Sequence, residues 1–113
     1  MKEKANKKPL NGVIPALITP FASSGEIDIQ AFEKHVAYLK NAGATGFLVG
    51  GSTAEGAYLS RDERLSIVEI TRSVAGSDCL ICAASLAPTT RQVIEDCGAF
   101  SRYNPDYYVA VPP

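Results

Sequence analysis

The chain contains 113 residues, of which 46% are apolar and 20% are charged, and this composition fits one soluble globular domain with a modest core. The formal net charge is −1 and no basic patch follows residue 8, so we expect no binding to nucleic acid, which requires clustered cations. No apolar run approaches the roughly 18 residues of a membrane-spanning helix, and the lysine-rich residues 1–11 lack the apolar core of a secretory signal. We therefore expect a cytoplasmic protein without membrane association, with a disordered tail at residues 1–11.

The sequence contains three cysteines, and an odd number without a secretory signal fits a reducing compartment better than a disulfide framework. Cys79 and Cys82 form a CxxC pair, which in other contexts is a redox or zinc motif. Here the pair lies in the apolar run CLICAASL, where residues three apart on a strand point to opposite faces, and a zinc site would need further ligands. We predict that both cysteines, and Cys97 on a helical apolar stripe, pack in the core.

Residues 12–19 (GVIPALIT) form a nearly continuous apolar run, the pattern of a strand that is covered on both faces. Pro15 predicts an irregularity or a bulge, because proline cannot donate a hydrogen bond to a neighbouring strand. After a turn at residues 20–26, Asp28 is a candidate N-cap for a helix that Gly43 would end. The apolar stripe of this helix consists of Phe32, Val36 and Leu39.

The same alternation continues along the rest of the chain. Residues 46–49 are predicted as a short strand, and Ser60 with Glu63 forms a capping box for a helix that ends near Gly76. Strands alternating with helices imply a parallel sheet whose strand-to-helix loops share one edge, where ligands bind. This pattern fits both a doubly wound sheet and part of a barrel. The remaining strand, helix and strand are predicted at residues 79–85, 89–103 and 107–111.

The best candidate for a binding site is the loop at residues 50–59 (GGSTAEGAYL), which joins the second predicted strand to the second predicted helix. Ser52 and Thr53 follow two glycines, so adjacent hydroxyls and backbone amides can face an anion. The alternative for both residues is ordinary turn capping. Glu55 is either a general base or, as we favour, a carboxylate that bonds loop amides. Ala57 takes the place of the lysine that a phosphate-binding P-loop would need.

Three motifs occur in a characteristic order: GVIPALITPF at residues 12–21, GGSTAEGAYL at residues 50–59 with the following SRDER, and the closing VAVPP. Together they resemble the N-terminal portion of the dihydrodipicolinate synthase and N-acetylneuraminate lyase family. The resemblance implies that residues 12–113 are the truncated N-terminal half of a (β/α)8 TIM barrel, an α/β fold with about four parallel strands and three helices here. It also implies a class I aldolase or lyase that acts on pyruvate through a lysine Schiff base, without metal or cofactor, and a homotetramer.

The resemblance also assigns residues to a substrate site. It implies that Gly51, Ser52 and Thr53 bind the carboxylate of the keto acid and that Thr53 takes part in a proton relay with tyrosines. Ala54 departs from the family pattern, which has glycine there, so the loop would be strained if this backbone requires a positive φ. The run ASLAPTT at residues 84–90 lacks the Gly-Thr-Gly-Ala-Asn of dihydrodipicolinate synthases, and the GGST form of the loop favours the lyase branch.

The covalent half of such a site is expected beyond Pro113, with the Schiff-base lysine on a sixth strand and tyrosines after Pro113 and on a fifth strand. Lys34 and Lys40 lie on the first predicted helix, where solvation keeps a lysine protonated. Tyr107 and Tyr108 precede the closing prolines and are not equivalent to the expected tyrosine pair. We therefore predict that the 113-residue chain alone is inactive. The alternatives are a non-enzymatic α/β module that binds a small carboxylate or phosphate, and a gene fragment without function.

Overall fold

The alternating strand and helix signals produce an α/β fold. The computed structural model describes residues 8–111, so most of the predicted tail at residues 1–11 and the closing prolines 112–113 lie outside the described residues. Within residues 8–111, three helices alternate with three strands. The helices are α1 Ile29–Asn41, α2 Arg61–Ala75 and α3 Thr90–Phe100, and the strands are β1 Gly46–Val49, β2 Leu80–Ser85 and β3 Tyr107–Ala110.

The three strands form a parallel sheet in the order β1-β2-β3. Gly46 lies opposite Leu80 in the first pairing, and Cys82 lies opposite Tyr107 in the second. Alternate residues of β1 and β2 belong to the same buried apolar cluster as residues of all three helices, so the core lies between the sheet and the helices. The parallel arrangement places the carboxyl ends of all three strands at one edge of the sheet. The core residues on these elements include Phe32, Val36, Phe47, Val49, Ile67, Val68, Ile81, Ala83 and Phe100.

Residues 12–19 do not form the strand that their apolar pattern predicts. They pair in parallel with β1 through a single bridge between Ala16 and Leu48. The Leu17 amide donates to the Leu48 carbonyl oxygen at 3.0 Å, and the Leu48 amide donates to the Pro15 carbonyl oxygen at 2.9 Å. Pro15 has no amide hydrogen to extend this ladder. The described part of the sheet therefore contains three strands, not about four, with an extended segment beside β1.

The ends of the helices agree with the predicted caps. The Asp28 carboxylate caps the first turn of α1. Ser60 Oγ accepts from the Glu63 amide at 3.1 Å, and Glu63 Oε1 accepts from the Ser60 amide at 2.8 Å, which completes the predicted capping box. Helix α2 ends at Gly76, where φ is +84°. A single 3-10 turn after α3 extends the last helical segment to its predicted end at Tyr103.

The cysteines are free thiols. Cys79 and Cys82 are each 5% exposed, which confirms their predicted packing in the core. Cys97 is only partly buried and lies outside the buried apolar cluster, so its predicted place in the core is wrong. Burial and the charge of Asp106 raise the pKa of the Cys82 thiol, and burial and the charge of Asp96 raise the pKa of the Cys97 thiol. Among residues 8–111, no three His, Cys, Asp or Glu side chains are grouped so that they could hold a metal ion. None of the helices in this range has the length and apolarity needed to cross a bilayer.

Candidate functional site

The 50–59 loop begins at the carboxyl end of β1, at the edge of the sheet where parallel α/β folds bind ligands. Gly50 has a φ of +78°, and a Cβ atom added there would lie 3.5 Å from the Ala84 carbonyl oxygen of β2. A Cβ atom on Gly51 would lie 3.4 Å from Leu48 Cδ2 of β1. The start of the loop therefore packs against the ends of both strands.

Backbone hydrogen bonds fold the loop into a tight turn. The Glu55 amide donates to the Ser52 carbonyl oxygen at 3.0 Å. The Gly56 amide donates to the Gly51 carbonyl oxygen, also at 3.0 Å. A Cβ atom on Gly56 would lie only 1.9 Å from the Gly50 carbonyl oxygen, so this close approach of the backbone requires glycine. The tip of the turn is thus held by backbone contacts on both sides.

The side chains of Ser52 and Thr53 are exposed at this tip, whereas Gly51 is buried. Neither hydroxyl makes a hydrogen bond with any of residues 8–111, so neither of them caps the turn. Each hydroxyl can donate one hydrogen bond, and the donors are adjacent in sequence. The tip of the loop can therefore present two neighbouring donors to a small anion.

The positive φ angle considered for Ala54 occurs instead at Glu55. Glu55 has a φ of 59° and a ψ of 36°, a left-handed conformation that is costly for a residue with a Cβ atom. Ala54 does not have a positive φ and is 1% exposed, so its methyl group fills space without backbone strain. The Glu55 carboxylate is exposed and does not cap the following 3-10 turn. The prediction that this carboxylate bonds loop amides is therefore wrong, because the side chain lies in solvent.

A polar cluster around a buried carboxylate, which the sequence patterns do not predict, lies at the end of the loop. We define the Asp96 cluster as Ser85, Asp96, Arg61 and Arg64. The Asp96 side chain, on α3, is 1% exposed. Its Oδ2 accepts from Ser85 Oγ at 2.7 Å. Its Oδ1 accepts from Arg64 Nη2 at 2.9 Å and from Arg61 Nε at 3.1 Å, so both carboxylate oxygens have partners.

The partners of Asp96 keep it ionised. Burial raises the pKa of the Asp96 carboxyl, but the hydrogen bonds from Ser85 and Arg64 outweigh burial and hold this pKa below its ordinary value. The sequence contains one signal for the cluster, because Asp96 lies on the apolar stripe of α3, three residues after Val93 and four before Phe100. A carboxylate on such a stripe needs buried partners to remain charged.

The amine of Lys40 and the hydroxyl of Tyr107, which were considered as catalytic groups, lie at the edge of the sheet opposite the 50–59 loop. Lys40 Nζ, at the end of α1, donates to the Ala75 carbonyl oxygen at 2.6 Å. The Tyr107 hydroxyl donates to the Lys8 carbonyl oxygen at 2.7 Å, near the amino end of β3. Lys34 is exposed on α1. These contacts agree with the prediction that Lys40 and Tyr107 are not part of a site at the carboxyl ends of the strands.

Comparison with known proteins identifies the family. Residues 9–113 match the sequence model of the Dihydrodipicolinate synthetase family. The chain belongs to this family. It is 34% identical to "Probable 4-hydroxy-2-oxoglutarate aldolase, mitochondrial" from Emericella nidulans, in an alignment that covers 96% of this chain and 37% of that protein. It is 35% identical to an N-acetylneuraminate lyase from Citrobacter koseri, over 94% of this chain and 36% of the lyase.

A solved structure of the dihydrodipicolinate synthetase family has the same arrangement of elements. The crystal structure of a dihydrodipicolinate synthase from Acinetobacter baumannii in complex with pyruvate matches with a TM-score of 0.89 and 28% sequence identity. The match covers 93% of this chain and 36% of the synthase. The chain therefore has the fold of part of a (β/α)8 TIM barrel, as the motifs predict, and spans little more than a third of the length of these relatives.

Proposed function

We propose that this chain is part of a Schiff-base aldolase or lyase that acts on pyruvate or a related 2-keto acid, and that the 50–59 loop binds the carboxylate. Gly51 contributes backbone, and Ser52 and Thr53 contribute hydroxyl donors. Thr53 also passes a proton within the site. In this proposal the lysine that forms the Schiff base is supplied from outside residues 8–111, and the reaction requires neither a metal nor a cofactor.

One observation carries the proposal: two adjacent hydroxyls without partners among residues 8–111 project from a braced turn at the carboxyl edge of a parallel sheet. Hydrogen bonds to a carboxylate are about twice as strong as those between neutral groups, and they orient a planar anion. Donors on a braced turn need little reorganisation when the ligand binds. The named activities of the relatives, two of which are an aldolase and a lyase, support the same class of reaction.

The binding step is tested by titrating the isotope-labelled 113-residue chain with pyruvate while amide chemical shifts of the 50–59 loop are recorded. Ser52→Ala and Thr53→Val each remove one hydroxyl donor, and each should weaken binding by about 1–3 kcal/mol. Ser73→Ala is the matched control, because Ser73 is exposed on α2 and lies outside the loop. Unchanged pyruvate affinity in both loop variants would remove Ser52 and Thr53 from the site.

The covalent step is tested separately by adding sodium borohydride to the chain in the presence of pyruvate. Borohydride reduces a Schiff base to a stable adduct, and we expect the mass of the 113-residue chain to stay unchanged. Lys40 donates to the Ala75 carbonyl oxygen at the opposite edge of the sheet and Lys34 is exposed on α1, so neither amine lies beside the 50–59 loop, where the keto acid is proposed to bind. A stable adduct would show that the chain alone is competent for the covalent step.

The second candidate is a non-enzymatic module that holds a small carboxylate or phosphate in the same loop. The positions of Lys34 and Lys40, away from the loop edge, favour this candidate for the chain alone. Inorganic phosphate discriminates between the two, because a loop selected for a planar carboxylate should prefer pyruvate. If phosphate displaced pyruvate from the loop with an affinity equal to that of pyruvate itself, the result would support the non-enzymatic module that binds small anions in general.

We also propose that the complete protein is a homo-oligomer, a tetramer by analogy with its family. Separately from that oligomer, the 113-residue chain alone has β3 as an edge strand of the described sheet with apolar side chains exposed, and such an edge pairs readily with other chains. The exposed residues near this edge are Tyr108, Val109 and Val111. Light scattering of the 113-residue chain should therefore show self-association.

The three free thiols favour a reducing compartment such as the cytoplasm.

A further inference from the structure

The Asp96 cluster joins the core to the 50–59 loop, and we propose that Asp96 is a positioning residue for this loop. Through Arg64, Asp96 holds the loop in the conformation that presents Ser52 and Thr53 to the ligand. The inference rests on the proposed function for the identity of that ligand. Asp96 itself need not touch the keto acid.

The first link connects α3 to the end of the loop. Arg64 Nη2 donates to Asp96 Oδ1 at 2.9 Å, and Arg64 Nη1 donates to the Leu59 carbonyl oxygen at 2.6 Å. Leu59 is the last residue of the loop and is 5% exposed. Arg64 Nε is buried and has no hydrogen-bond partner within residues 8–111. The position of the guanidinium therefore depends on its contacts with Asp96 and Leu59.

The second link carries this constraint to the tip of the loop. The Leu59 amide donates to the Gly56 carbonyl oxygen at 3.3 Å, and the Gly56 amide donates to the Gly51 carbonyl oxygen at 3.0 Å. Gly51 precedes Ser52 and Thr53 directly. Because Gly56 also packs closely against the backbone of Gly50, these contacts connect Leu59 to the base of the turn.

The third link fixes the carboxylate itself. Ser85, the last residue of β2, is 0% exposed, and its hydroxyl donates to Asp96 Oδ2 at 2.7 Å. Asp96 therefore connects Arg64 to the carboxyl end of the buried strand β2 through hydrogen bonds. Arg64 reaches Asp96 and Leu59 through two different nitrogens, Nη2 and Nη1, whereas lysine would have a single nitrogen to place between them.

A second buried aspartate provides a matched control. Asp106 Oδ2 accepts from Arg72 Nη2 at 3.0 Å, and the Asp106 side chain is 7% exposed. The side chains of the two arginines are similarly covered, with 19% of Arg72 and 16% of Arg64 exposed. Asp106 also accepts from the Ile81 amide at 3.0 Å, at the amino edge of the sheet. Replacing Asp106 should destabilise the core because it also removes a buried carboxylate from its arginine partner. Asp106 lies at the amino edge of the sheet, so its hydrogen bonds do not lead to the 50–59 loop.

The test compares Asp96→Asn with Asp106→Asn in the 113-residue chain. Amide hydrogen exchange reports local opening, so the rate for Gly56 divided by the rate for Ala83 on β2 measures how much the loop loosens relative to the sheet. We expect Asp96→Asn to raise this ratio about tenfold and to weaken pyruvate binding roughly three- to tenfold. We expect Asp106→Asn to lower global stability, which speeds exchange at Ala83 but not local opening at Gly56, so the ratio should not rise and the affinity should not change.

Equal ratios in the two variants would overturn the positioning role, because the loop would then respond only to global stability. Should Asp96→Asn fail to fold, Arg64→Met replaces it, since methionine keeps an apolar stem but has no donor for Asp96 or Leu59. A wild-type exchange ratio in Arg64→Met would likewise overturn the proposal. Failure of the wild-type chain to bind pyruvate would refute the proposed ligand, whereas the exchange ratio would still decide whether Asp96 positions the loop.

Discussion

Alanine at position 56 would place a methyl group against the backbone of the same loop. The new Cβ atom would lie 1.9 Å from the Gly50 carbonyl oxygen, 2.7 Å from the Gly50 carbonyl carbon and 3.1 Å from the Gly51 carbonyl oxygen. All three neighbours are backbone atoms, so rotation of a side chain cannot relieve the contact. The loop itself must therefore move when Gly56 is replaced.

The size of the effect follows from these distances. Carbon and oxygen atoms in contact are ordinarily about 3.3 Å apart or more, so the backbone must separate by more than about 1 Å. Overpacking of this kind costs about 1–3 kcal/mol, and loss of the hydrogen bond from the Gly56 amide adds about 1 kcal/mol. The expected total of about 2–4 kcal/mol corresponds to a decrease in Tm of roughly 8–16 °C for a chain of this size.

Gly98→Ala provides the control, because it adds the same methyl group where no atom from outside its own stretch of helix backbone lies within 4 Å. Gly98 lies inside α3, so alanine should stabilise the helix by up to about 1 kcal/mol. Thermal unfolding followed by circular dichroism compares both variants with the wild-type chain. A Gly56→Ala chain with the wild-type Tm and unchanged amide shifts in the 50–59 loop would refute the close approach of Gly56 to Gly50.

Two further predictions concern ionisable groups. Burial raises the pKa values of Asp96 and Asp106, but their hydrogen-bond donors, Ser85 and Arg64 for Asp96 and Ile81 and Arg72 for Asp106, hold both below the ordinary value. The two ionised carboxylates therefore contribute fully to stability above about pH 4, and this contribution is lost as the pH falls through their lowered pKa values. Asp96→Asn should flatten the acid limb of a plot of unfolding free energy against pH. An unchanged acid limb would contradict the lowered pKa of Asp96. Because burial raises the pKa values of the Cys82 and Cys97 thiols, iodoacetamide at pH 8 should modify both more slowly in the folded chain than in urea, and equal rates measured by mass spectrometry would contradict their burial.

The boundaries of the helices could be predicted because their signals are local. Ser60 and Glu63 are three residues apart, and the capping box that they form depends on nothing outside the first turn of α2. The parallel order of the strands also follows from the alternation of strand and helix signals. The same alternation predicts that the 50–59 loop lies at the carboxyl edge of the sheet, and the structure confirms this position.

Features that depend on distant contacts could not be predicted in the same way. The apolar pattern of residues 12–19 indicates burial but not the number of hydrogen bonds, and Pro15 leaves only one bridge to β1. Asp96 and Arg64 are 32 residues apart in sequence, so no local pattern pairs them. Within the loop, the sequence indicates possible strain at Ala54 but gives no signal that Gly56 must be glycine. The close approach of Gly56 to Gly50 depends on the path of the folded backbone.

The location of the supporting carboxylate on α3 has a physical reason. A carboxylate within the loop would be solvated and would move with the loop, whereas Asp96 is fixed by Ser85 on a fully buried strand. Burial of its charge is unfavourable, and the hydrogen bonds from Ser85, Arg61 and Arg64 offset that cost. The conformation of the loop is thereby coupled to the packing of α3. Substitutions that loosen α3 from within the core, such as Phe100→Ala, should therefore weaken pyruvate binding at the 50–59 loop in the same titration.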